Sequence, residues 1–205
     1  MWKTASLMLL AIVVMPATAL AQGSPSGIYA EARGGAVFLM DSDLDTGIPG
    51  LDAELSFDPG WMAEGAIGYA DSSGLRGEVA LGYRKNDFDE VKVSGLGSAS
   101  VNGDITATTI MANGYYDIYF DSENRWAFYL GGGIGAAYLD VSGDLGSDDD
   151  TVFAYQGSAG FSFAATPSIV LSLGYQYFAT EDPKFGGTDA EYRSNNAIAG
   201  ARFMF

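Results

Sequence analysis

The chain has 205 residues with 26 acidic and 10 basic side chains, a formal charge of −16, and neither histidine nor cysteine. So large an acid excess argues against nucleic acid as a partner, because phosphates are gripped by clustered Lys and Arg. The missing cysteine excludes disulfide staples, and the missing histidine removes Ser-His-Asp hydrolysis, His-based metal sites and His-dependent lipid-modifying chemistry together.

In chain order, Lys3 precedes an apolar run from Ala5 to Met15, then Pro16 and the small-residue site Ala19-Leu20-Ala21. This is the pattern of a secretory signal peptide, too short to span a membrane. Residues 1–21 are therefore read as a signal peptide and residues 22–205 as one domain without a linker. Beyond that leader no stretch approaches the roughly 20 continuous apolar residues of a membrane helix. The apolar residues alternate instead, and the 28 glycines suit coiled strands better than helices.

Eight strands are predicted. The first, about Gly27 to Met40, sets Ile28, Ala30, Ala32, Ala36 and Phe38 against Tyr29, Glu31, Arg33 and Val37. The second, about Trp61 to Ala70, sets Trp61, Ala63, Ile67 and Tyr69 against Glu64, Ala66 and Gly68. The third, about Leu75 to Arg84, is the clearest, with Leu75, Val79, Leu81 and Tyr83 on one face and Arg76, Glu78 and Arg84 on the other. The fourth, about Thr106 to Tyr119, opposes Ile110, Tyr116 and Ile118 to Asn113, Tyr115 and Asp117; the fifth, about Trp126 to Leu139, is glycine-rich. The sixth, about Val152 to Ala164, and the seventh, about Ser168 to Phe178, alternate again, and the eighth runs from about Tyr192 to Phe205 with Arg202 opposite an apolar face. The period of two argues strands, each near or above the roughly 9 to 11 residues that a tilted strand needs to cross a bilayer.

Connections after the even strands are short and those after the odd strands long, as at the periplasmic and extracellular ends of an outer-membrane barrel. The aromatic terminus Phe205 adds the signal that barrel-insertion machinery reads. A soluble exported barrel is the competing fold; it would be apolar inside and polar outside. The fold class predicted is all-β, an eight-stranded antiparallel up-and-down transmembrane β-barrel.

The stretches Arg76-Gly77-Glu78-Val79-Ala80-Leu81-Gly82-Tyr83-Arg84, Met111-Ala112-Asn113-Gly114-Tyr115-Tyr116-Asp117, Phe153-Ala154-Tyr155-Gln156 and Gly200-Ala201-Arg202-Phe203-Met204-Phe205 resemble the small outer-membrane β-barrel family. That family holds opacity-type proteins, surface antigens and "porin family" proteins. The resemblance implies a barrel and no particular activity, since adhesins, surface antigens and structural barrels share it.

Among candidate functional residues, Arg33, Arg76 and Arg202 share the inward face with Glu31, Glu78 and Asp117, all toward the periplasmic half. They are read as a luminal charge network, either a polar core that fills the barrel or the lining of a gated pore. Asp41-Ser42-Asp43-Leu44-Asp45 begins like a calcium loop, but Thr46 stands where the turn needs glycine and Asp52 replaces the closing Glu. Asp41, Asp43 and Asp45 are thus weak metal candidates, and these residues, like Asp140, Asp144 and Asp148 to Asp150, are read as solvated loop acids. Gly131, Gly133 and Ala136 match a dinucleotide-binding spacing, but no helix follows to receive a pyrophosphate.

The sequence therefore predicts a monomeric bacterial outer-membrane barrel without cofactor or catalytic residue. Its partners would be outer-membrane lipid and, through the strand ending at Phe205, the insertion machinery. The role expected is that of a surface-exposed structural or interaction protein, with a narrow passive pore as the alternative. Hydrolysis by the inward carboxylates is a distant third reading.

Overall fold

The computed structural model describes residues 25–40, 43–45, 52–57, 59–93, 97–99, 103–143, 146–181, 184–185, 188–189 and 192–205. The proposed signal peptide and Asp41 lie outside the described residues. Eight long strands make the barrel: β1 (Gly27–Leu39), β2 (Gly60–Ala70), β3 (Leu75–Val93), β4 (Gly103–Tyr119), β5 (Trp126–Gly143), β6 (Gly146–Thr166), β7 (Ile169–Thr180) and β8 (Arg193–Met204). Each pairs antiparallel with its successor, and β8 returns to pair with β1 from Tyr29↔Met204 to Leu39↔Ser194. Closure gives every barrel strand two hydrogen-bonded neighbours, the condition for strands in hydrocarbon, where no water is present to satisfy a free edge.

The two faces decide between the two barrels considered above. Along β4 the buried residues are Ala107, Thr109, Met111, Asn113, Tyr115 and Asp117, and the residues between them face outward. The outer surface carries large apolar side chains such as Ile67, 69% exposed, and Leu173, 68% exposed, while Arg76, Glu78, Gln176 and Arg202 are buried inside. Apolar outside and polar inside is the membrane arrangement, since hydrocarbon replaces water around the exterior.

The strands extend further than the alternation indicates. The third was expected to stop at Arg84 and reaches Val93; the sixth, expected from Val152, begins at Gly146. Residues such as Lys85, Asn86 and Asp87 lack an apolar face because they have left the lipid, yet their backbone ladder continues through Phe88↔Gly103. At 19 and 21 residues, β3 and β6 are about twice the roughly 9 to 11 residues that a tilted strand needs to cross the bilayer, and they extend above it. Asp140 and Asp148 to Asp150 therefore lie on β5 and β6 rather than in a loop, with Asp140 paired to Asp149. Short strands Asp43–Asp45 and Asp52–Phe57, the latter paired with β3, occupy part of the stretch read as the first long loop.

The opposite end is closed by tight turns. In the first, the Asp71 carboxylate accepts from the Ser73 backbone N–H at 2.6 Å and its hydroxyl at 2.5 Å, and Gly74 takes a φ of 93° that favours glycine. In the second, Asp121 accepts from the backbone N–H of Trp126 at 2.8 Å and of Arg125 at 3.0 Å. Phe205 ends the chain at the same rim, its N–H bonded to the Ile28 carbonyl at 3.0 Å.

Candidate functional site

The lumen has two storeys. In the storey nearer the short turns, alternation on β1, β2, β3, β4 and β8 brings Glu31, Arg33, Glu64, Arg76, Glu78, Asp117 and Arg202 together, all buried. Arg33 is the hub. Its guanidinium lies against Glu31 at 3.5 Å, Glu64 at 3.0 Å and, closest of all, Glu78, and it donates to the Tyr115 hydroxyl at 2.8 Å. Arg76 grips Asp117 with two bonds of 2.8 and 3.0 Å, the forked geometry that favours arginine over lysine. Arg202 bridges Glu31 at 3.1 Å and Asp117 at 3.5 Å.

Tyrosines complete the storey. Tyr29 donates to Glu78 at 2.9 Å, and the Arg76 guanidinium lies 4.5 Å from the centre of the Tyr115 ring. Asn113 donates to Glu78 at 3.0 Å and accepts from Gln156 at 2.8 Å. These large groups fit because neighbouring positions are glycine. A Cβ at Gly68 would stand 2.6 Å from the Tyr29 hydroxyl oxygen, and one at Gly131 or Gly133 would overlap Tyr115 or Asn113. The glycine spacing that mimics a nucleotide motif is thus lumen packing.

In the storey nearer the long loops, Ala107, Met111, Ala137, Leu139, Ala154, Phe178 and Tyr192 form one buried apolar cluster, beside the buried polar side chains Thr109, Gln176, Ser194 and Asn196. Its cation is Arg84, fully buried, which donates to Thr109 at 3.1 Å and to the Gln176 side-chain carbonyl at 3.0 Å and lies 4.0 Å from the Phe178 ring centre. Glu64 sits between the storeys, its Oε2 and the Arg84 Nη1 both 3.4 Å from where a Cβ at Gly82 would stand. Among the described residues, the buried acids Glu31, Glu64, Glu78 and Asp117 match the buried arginines Arg33, Arg76, Arg84 and Arg202 in number.

Within the ionic storey a cavity of about 10 Å³ remains, lined by residues that include Arg33, Tyr129, Ser158 and Arg202. That is about the space of a single water. All six residues of the anticipated network lie in one cluster. Glu64 and Arg84 share their inward face but were not assigned to it, although alternation alone marks both. Of the acidic metal candidates, Asp43 and Asp45 lie on a short strand and Asp41 outside the described residues. Among the described residues no group of His, Cys, Asp and Glu has a geometry suited to a metal ion.

A closed eight-stranded antiparallel barrel, apolar outside and ionic within, defines the class of small bacterial outer-membrane proteins. The chain belongs to the family described as "Outer membrane protein beta-barrel domain", whose model matches residues 7–205. It is similar to Major surface antigen 4 of Anaplasma marginale, with 29% identity over 141 residues that cover 60% of this chain and 48% of that protein. The chain thus spans about half the length of that curated relative.

Among solved structures, Neisserial surface protein A superposes with a TM-score of 0.60 at 23% identity, covering 88% of this chain and 98% of that one. OprG from Pseudomonas aeruginosa gives a TM-score of 0.58 at 16% identity, covering 90% and 99%. At such identities the likeness is one of fold. The outer membrane is where the protein resides, and in this class the short turns face the periplasm and the longer connections the exterior.

Proposed function

We propose that this protein is a non-enzymatic structural and interaction barrel of the outer membrane, which presents its extended strands at the cell surface and keeps its lumen shut. The observation that carries the reading is the filled interior, an ionic storey and an apolar storey in series with space for about one water between the ion pairs. An apolar constriction resists wetting, and ion pairs that engage every inward carboxylate reduce the pull on solvent. Absence of catalysis is supported by how the inward carboxylates are engaged: Glu31, Glu64, Glu78 and Asp117 each face an arginine within 4 Å. The surface role is supported by β3 and β6 rising beyond the bilayer, and by the similarity to Major surface antigen 4.

Planar-bilayer recording with purified protein tests it. The expected result is no sustained conductance at moderate voltage. Large, steady single-channel currents from the wild type would replace this reading with that of a narrow passive pore. Labelling of residues near Asp140 and Asp149 on intact cells tests the surface presentation, and protection from an impermeant reagent would overturn it.

A further inference from the structure

Barrel closure requires β1 and β8, the two ends of the sheet, to find one register among several. A slip by two residues keeps every side chain on its own face, so patterning does not forbid it. On the lipid side the seam offers little guidance, because Ala32, Gly34 and Ala36 face Ala201, Ala199 and Ala197. After a two-residue slip Gly34 meets an alanine in either direction, and Ala32 and Ala36 each do so in one. The selecting features are on the other face: Glu31 stands directly opposite Arg202, with their side chains bonded at 3.1 Å, and Arg33 stands opposite Gly200. Gly200 is the position that leaves room for the hub, since a Cβ there would come 3.0 Å from the Arg33 Cγ and 2.6 Å from the Ser172 hydroxyl oxygen.

We propose that Glu31 and Arg202, together with Gly200 opposite Arg33, form the register key of the closing seam. Sliding β8 one way by two residues would set Arg202 against Arg33, two cations face to face, and leave Glu31 beside Met204. Sliding it the other way would set Arg33 against the branched Ile198 and Arg202 against Tyr29. Only the observed register pairs both charges and places the glycine beneath the arginine stem. Like charges directly opposed disfavour a pairing while opposite charges favour it, so the key works by attraction in one register and repulsion in its neighbour.

The experiment uses engineered disulfides, which are unambiguous because the chain has no cysteine of its own. Directly opposed residues have Cα separations that a disulfide spans, whereas a two-residue diagonal exceeds them. In the full-length protein, cysteines at Ala32 and Ala201 report the observed register, and cysteines at Gly34 and Ala201 report the slipped one. A cysteine at Gly34 is tolerated, as its Cβ would meet only the Met62 carbonyl oxygen at 3.5 Å. After treatment with a membrane-permeant oxidant, the otherwise unmodified barrel should cross-link through the first pair alone.

Arg202→Glu reverses the key: its new carboxylate repels Glu31 and attracts Arg33 across the slipped seam. The cross-link should then move to the Gly34 and Ala201 pair. Arg202→Gln removes the preference without reversing it and should yield both cross-links; it decides the matter if Arg202→Glu fails to assemble. Persistence of the first cross-link alone in Arg202→Gln, or in an assembled Arg202→Glu barrel, would overturn the proposal.

Discussion

The two storeys of the lumen bury arginine in opposite ways. Arg33 is surrounded by three carboxylates, Glu31, Glu64 and Glu78, whereas Arg84 is held by a threonine hydroxyl, an amide carbonyl and the face of Phe178. The first arrangement satisfies charge with charge, so removing its hub strands several ions at once. The second spreads one charge over dipoles and a ring, and its removal strands two neutral groups and takes one positive charge from beside Glu64. The barrel therefore has one storey whose closure depends on ionic balance and another whose closure depends on the exclusion of water by Leu139, Met111 and Phe178.

If the storeys are seals in series, breaking both should have the largest effect. Arg33→Met combined with Leu139→Ser should convert a silent barrel into one with resolvable single-channel currents, while either substitution alone leaves conductance close to baseline. Opening by Arg33→Met alone would show that the apolar storey does not seal. Current through neither the single nor the double variant would place the barrier elsewhere.

Stability separates the storeys next. Arg33→Met leaves three buried carboxylates short of their shared cation and should cost about 3 to 5 kcal/mol, the usual penalty for stripping a buried ion of its partner. Arg84→Met keeps the apolar packing, orphans the Thr109 and Gln176 groups and leaves Glu64 its direct contact with Arg33, for about 1 to 3 kcal/mol. Urea unfolding midpoints in detergent measure both. Equal losses would abolish the distinction between ionic and dipolar holding. Phe178→Leu, which trims the ring beneath Arg84 while retaining an apolar side chain, should cost less again, about 1 kcal/mol, combining a small packing defect with the lost cation–π contact.

The comparison also marks how far a sequence alone discloses such a molecule. Period-two alternation assigns Glu31, Arg33, Arg76, Glu78, Asp117 and Arg202 to the inward face because lipid outside demands apolar residues at every other position. It leaves Glu64 and Arg84 equally visible but unassigned, since alternation gives the face of a residue and not its partner: Glu64 stands opposite Arg33 only once the register of β1 and β2 is fixed, and Arg84 meets Gln176 only through the stagger of the closed sheet. The apolar storey is hidden for a different reason. Leu139 and Phe178 have the residue types of the lipid face, and only their phase within β5 and β7 turns them inward. The far ends of β3 and β6 escape because the alternation signal depends on lipid on one side, and above the membrane the outer face no longer demands apolar residues.

The smallest expected effect lies below the ionic storey, in the short turns. The backbone N–H groups of Trp126 and Arg125 hold the Asp121 carboxyl below the ordinary aspartate range, and the Ser73 hydroxyl and N–H do the same for Asp71. A carboxyl depressed by folding contributes stability that is complete above its unfolded value and disappears as pH falls through the folded one. Both turns should therefore tighten the barrel at neutral pH and cease to do so below the ordinary aspartate range. Asp121→Asn supplies an uncharged acceptor in the same place. Its unfolding midpoint should lie below that of the wild type at about pH 6 and converge on it as the pH is lowered past the folded carboxyl's titration. Because both proteins carry the same charges elsewhere, the difference between their pH profiles isolates the Asp121 turn. A difference that stays constant across the acid range would show that Asp121 acts through shape and not through its charge.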